Sequence, residues 1–98
     1  MDYDNQNVFA KILRGELPCD KVYETDHVLA FRDVHPQAPS HVLVIPKGAY
    51  VSMNDFSEHA NDVEIIEFWR AVGDVSRQLG AVPNGYRILA NHGRDAHQ

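Results

Sequence analysis

Histidine is the side chain best suited to proton transfer, nucleophilic attack or metal binding near neutral pH. This chain has six, at His27, His35, His41, His59, His92 and His97. Zinc sites are built from closely spaced ligand pairs such as Cys-x-x-Cys or His-x-x-x-His, and no such pair occurs here. His92 and His97 stand five apart in loop-like sequence, a weak arrangement for a metal. No metal site and no cofactor are expected. His27 follows Asp26 in a turn and His59 lies at the start of a long helical stretch, so both read as solvated surface.

His41 is different. It heads the apolar run "VLVIP" directly after the proline-rich "PQAPS". A polar residue buried at a strand start must be hydrogen-bonded. Two readings fit: a satisfied structural histidine, or a histidine at the rim of a pocket where strand ends and loops converge. Asp33 closes "LAFRD" and by itself is a capping or surface carboxylate. Asn91-His92-Gly93 by itself is a turn.

The elements that must position these residues follow from periodicity. In "NQNVFAKILRGELP", Val8, Phe9, Ile12 and Leu13 share a helical face, Asn5 or Asn7 can cap it, and Gly15 and Pro18 end it, which predicts a short helix over 7–14. "KVYET" and "VLAFRDV", separated by "TDH", read as a hairpin. "SHVLVIPK" is apolar enough to predict a central strand with both faces covered. "FSEHANDVEIIEFWRAVGDVSRQLG" predicts one long helix, capped by Ser57 or Asn61, with an apolar stripe of Ile65, Phe68 or Trp69, Val72, Val75 and Leu79, and Gly80 just past its end. A turn at Pro83 to Gly85 leads to "YRILAN", predicted as a further strand that would make a four-stranded sheet. Short turns between strands favour an antiparallel sheet with helices packed on it, an α+β domain.

Composition narrows the function classes. A length of 98 residues suits one domain. A net charge of −5 argues against binding nucleic acid polymer, which needs clustered Lys and Arg. It leaves a single nucleotide open, since one or two phosphates can be held by backbone N–H groups. One cysteine, Cys19, cannot form an internal disulfide, and no apolar run approaches the roughly 20 residues of a membrane span. The N-terminal "MDYDNQN" is no signal peptide, so a cytoplasmic location and no membrane partner are expected.

The stretches "FAKILRGELP", "KVYE", "VLAFRDVHPQAPSHVLVIPK" and "GYRILANHG", with the final glutamine, resemble the histidine triad (HIT) family, in particular its Hint-like branch. The resemblance covers nearly the whole chain in order. It implies an antiparallel sheet of about five strands with one short and one long helix. It also implies a homodimer, in which the long helix and the strand after the Asn-x-Gly turn pair across a two-fold axis. The implied chemistry is hydrolysis or transfer at the α-phosphorus of a purine nucleotide such as a nucleoside phosphoramidate. There the middle histidine of a His-x-His-x-His motif forms a nucleotidyl-histidine that water then cleaves.

Carried over position by position, the resemblance implies Asp33 on the ribose hydroxyls of an AMP-like ligand, where two carboxylate oxygens face two O–H donors. Phe9, Ile12, Leu17 and Phe31 are implied as apolar walls of the base, although each is equally suited to plain core. His41 is implied beside the nucleophile, fixing its tautomer, with Asn91 and Gln98 on the phosphate side. There are departures. The positions where some relatives carry a Cys-x-x-Cys zinc pair hold Asn7 and Ala10, and a later histidine position holds Ala49. Position 97, often glycine, is His97. The chain contains no His-x-His-x-His. By the family's spacing the first triad histidine falls about four residues past Gln98 and the nucleophile about six. Residues 1–98 are therefore expected to be one HIT-like domain truncated before the triad. The other expectation is a catalytically inactive nucleotide-binding or dimerising module.

Overall fold

The computed structural model describes residues 4–33 and 40–91. The first helix, α1 (Val8–Leu13), is capped by Asn7, whose side chain accepts from the Ala10 N–H at 2.8 Å. It ends in a Schellman turn at Gly15 (φ 79), where the Gly15 N–H reaches the Ile12 carbonyl and the Glu16 N–H the Lys11 carbonyl. Strands β1 (Lys21–Glu24), β2 (Val28–Arg32) and β3 (Val42–Pro46) then form an antiparallel sheet in the order β1-β2-β3. The β1–β2 turn is closed by Thr25, whose hydroxyl accepts from the N–H groups of His27 and Val28.

Side chains alternate across a strand, so the register assigns each to a face. Val28 and Ala30, with Val44 opposite Ala30, look one way. Leu29 and Phe31, with Ile45 and Leu43 opposite them, look the other way. A β-bulge between Lys21 and Tyr23 changes the parity of β1: Tyr23 pairs with Ala30, while Lys21 pairs with Phe31 and Glu24 with Leu29. Lys21 and Glu24 thus share one face and Tyr23 takes the other.

The Tyr23 face carries the core. Val28 packs with Phe56, Phe68 and Ala71, and Tyr23, Val44, Tyr50, Ile65 and Val72 border the cluster. Phe68, Ala71 and Val75 recur at helical spacing along α3 (Asp62–Gln78) and are its buried apolar residues. Hydrogen bonds from Tyr23 to Asp74 (2.7 Å) and from Gln78 to the Val22 carbonyl (2.8 Å) tie α3 to β1. The Tyr23 hydroxyl, and then Arg77, hold the Asp74 carboxyl below the usual range.

Four expectations are corrected. The long helical stretch is two helices, α2 (Met53–His59) and α3, because Ala60 is extended (ψ 150) and Asn61 opens α3 with a reciprocal capping box to Glu64. Ser52, not Ser57, caps α2. The run "VLVIP" is half-buried throughout and lies at the edge of the described sheet, not at its centre. Residues 86–91 form no strand: the backbone there pairs with no described strand, and Tyr86, Ile88 and Leu89 are exposed, Leu89 to 74 %. Gly80 (φ 69) does close α3 as expected, with the Ala81 N–H on the Ser76 carbonyl.

His59 ends α2 rather than opening a helix, and its Nδ1 lies 2.8 Å from Asp55 Oδ1. Asp55 is held below its ordinary 3.8, first by the Val51 N–H and then by His59. The Asp55 hydrogen bond raises His59 above its ordinary 6.5. The raised His59 stabilises the fold at low pH and loses that contribution as pH rises through its folded value. The lowered Asp55 contributes at high pH and loses it on acidification. The pair therefore favours the fold most between about pH 4 and 6.5. His59→Gln is expected to flatten the change in melting temperature between about pH 5.5 and pH 8. A pH profile identical to the unmodified chain's would place the titration elsewhere.

Candidate functional site

Antiparallel pairing continues one step past the ends of β2 and β3: the Asp33 N–H donates to the His41 carbonyl at 3.0 Å. The two residues are therefore opposite each other, on the same face as Phe31 and Leu43. Their side chains meet, with His41 Nε2 3.4 Å from Asp33 Oδ2, and both are mostly covered, at 26 % and 20 % exposure. A carboxylate and an imidazole in contact can accept hydroxyl protons and orient a neighbouring group.

Phe31 stands two residues before Asp33, and its ring lies 6.3 Å from that of Phe9 on α1. α1 thus covers this face while α3 covers the other. A cavity of about 450 Å³ opens beyond, lined by Ile12, Leu17 and Leu29 on its apolar side and by Lys21, Glu24 and Lys47 on its polar side. Glu24 binds both lysines, Lys47 at 2.8 Å and Lys21 at 3.0 Å. Those bonds, Lys47's first, hold its carboxyl below the usual range.

Of the expected residues, Asp33, His41, Phe31, Phe9, Ile12 and Leu17 lie on this side of the sheet. Asp33 touches His41, and Phe31 touches Phe9. Ile12 and Leu17 line the cavity, whereas Phe9, Phe31 and Asp33 do not. Asn91 is exposed and belongs to no helix or strand; Gln98, His35, His92 and His97 lie outside the described residues. His27 is 3.2 Å from Glu67 on α3, away from these groups. Sequence reasoning missed Lys21, Glu24 and Lys47. Simple alternation in "KVYE" would put Lys21 on the Tyr23 face, and only the bulge reverses that. Among the described residues no three His, Cys, Asp or Glu side chains gather to hold a metal. No described helix is long and apolar enough to cross a membrane.

The model of the HIT domain matches residues 14–98. The chain belongs to the histidine triad family. A HIT-like protein of Azospirillum brasilense of 13.2 kDa is 64 % identical over 96 residues, which cover 98 % of this chain and 79 % of that protein. The purine nucleoside phosphoramidase of Escherichia coli K12 is 38 % identical over 94 residues, 95 % of this chain and 77 % of that one. Among solved HIT structures, a Hit-like protein superposes with a TM-score of 0.84 at 35 % identity, covering 95 % of this chain and 87 % of that one. The histidine triad nucleotide-binding protein from Candida albicans superposes with a TM-score of 0.81 at 33 % identity, over 93 % and 65 % of the two chains. The HIT fold is thus common to this chain and to relatives named for hydrolysis and for nucleotide binding.

Proposed function

We propose that this HIT protein belongs to the Hint-like branch and binds a purine nucleotide on the Phe31 face, as part of a hydrolase acting on purine nucleoside phosphoramidates. One observation carries the reading: Asp33 and His41 meet at the end of β2 and β3, on the face where Phe31 meets Phe9. In this reading Asp33 accepts from the ribose hydroxyls. Phe9, Phe31, Ile12 and Leu17 enclose the base. His41 fixes the tautomer of the attacking histidine, and Asn91 and Gln98 stand on the phosphate side. The attacking histidine belongs to a His-x-His-x-His segment beyond Gln98. It forms a bond to the α-phosphorus as the amine leaves, and water then cleaves the nucleotidyl-histidine.

The line of Val63, Ile66 and Trp69 along α3 is 46–57 % exposed, which supports pairing of two cytoplasmic copies across this helix. The second reading is a catalytically inactive nucleotide-binding or dimerising module. Two measurements separate these. Calorimetric titration with AMP is expected to show binding, and a folded chain that ignores AMP contradicts both nucleotide readings. Incubation with adenosine 5′-phosphoramidate is expected to release AMP only from a chain carrying the triad segment. Failure of that longer chain to turn over would favour the inactive module.

A further inference from the structure

In the nucleotide reading Ile12 and Leu17, which line the cavity, help enclose the base, and the cavity's polar side has no task. Leu29, Phe31 and Asp33 succeed one another on a single face of the sheet, about 6.6 Å apart at each step of two residues. A nucleoside with its ribose at Asp33 and its base against Phe31 points the far edge of that base at the level of Leu29. Glu24 is paired opposite Leu29, and Lys47 follows β3 on the same face as Ile45. All three line the cavity, as does Lys21.

The inventory of free hydrogen-bonding capacity gives the preference a sign. Two ammonium groups carry about six N–H donors, of which two are spent on Glu24; the carboxylate has about four acceptor positions, of which two are filled. Spare donors therefore exceed spare acceptors. A second anion is disfavoured because Glu24 sits between the lysines. Guanine presents adjacent N7 and O6 acceptors where adenine presents N7 and an N6 amino donor. Guanine's N1–H and N2 amino group can also donate to a carboxylate. Because Lys47 and Lys21 hold its carboxyl below the usual range, Glu24 is ionised to accept them.

We infer that Lys47, Glu24 and Lys21 read the far edge of the base and give this protein a preference for guanine over adenine nucleotides. Lys47, the less exposed of the two lysines at 30 %, is the principal donor. The inference rests on the nucleotide reading and is tested apart from it. Equilibrium dialysis of the chain against AMP, GMP and IMP is the experiment. GMP is expected to bind about tenfold more tightly than AMP. IMP, which keeps N7 and O6, is expected to side with GMP. Lys47→Met is expected to bring GMP to the level of AMP, with circular dichroism confirming that the variant is folded. Equal binding of AMP and GMP overturns the inference and leaves the nucleotide reading standing. A preference that survives both Lys47→Met and Glu24→Gln also overturns it. No binding of any of the three nucleotides overturns the nucleotide reading itself.

Discussion

Phe56→Ala is expected to destabilise the protein by about 3–5 kcal/mol, read from the urea midpoint at unchanged slope. Phe56 is 3 % exposed. It is the one fully buried residue of α2, and the half-buried Met53 is the only other side chain of that helix packed against the same cluster. Its ring stands edge-on to Tyr50 and tilted against Phe68, each at 5.2 Å. Truncation removes both ring contacts and leaves a cavity walled by side chains fixed elsewhere. Tyr50 is held through its hydroxyl by both Glu64 oxygens, and Phe68 by α3. Neither can collapse into the void, so the penalty belongs near the top of the range. Against a total stability of about 5–15 kcal/mol, such a loss leaves a marginal fold. Phe56→Leu keeps most of the volume and is expected to cost less than half as much. A loss under about 1 kcal/mol for the alanine variant would show that α2 does not seal the core.

The second large effect concerns the ligand. Asp33→Ala is expected to weaken AMP binding by about 10- to 100-fold, the size of a lost hydrogen-bonding set to a charged acceptor. The control is 2′,3′-dideoxy-AMP, which has no hydroxyls to offer. The unmodified chain is expected to bind it as poorly as the variant binds AMP, and the variant is expected to discriminate little between the two. This double comparison separates a lost ribose contact from a general loss of fold, because Asp33 also touches His41. If the variant still prefers AMP over the dideoxy analogue by the original factor, Asp33 does not hold the ribose.

Local signals in the sequence were legible where local physics decides. Asn61 and Glu64 form a capping box readable from their spacing, and Gly80 and Gly15 sit where helices must end. The meeting of Asp33 with His41 was not readable from spacing, since neither residue carries a local signal for the other. The antiparallel register of β2 and β3 brings them together; the sequence pattern alone sets His41 apart at the head of its apolar strand, whereas Asp33 gains a site role only through the family resemblance. The apolar run of β3 suggests a central strand, yet such runs report how much surface wants cover, not where a strand stands in its sheet. "YRILAN" has strand composition, but a strand also requires a partner backbone, and composition does not report one. The polar end of the cavity was hidden by a single extra residue. The bulge at Lys21–Tyr23 reverses which side chains of β1 look toward α1.

The outer rim of β3 has a further consequence. Within the described sheet this strand is bonded on one side only. An open rim of this kind is a template for any extended backbone, and residues 86–91 offer an apolar one on every copy of the molecule. Pro46, which has no N–H to give, blunts one end of the rim, but Val42 to Ile45 remain receptive. Growth by strand addition takes two molecules where folding takes one, so any such association is expected to fall away on dilution.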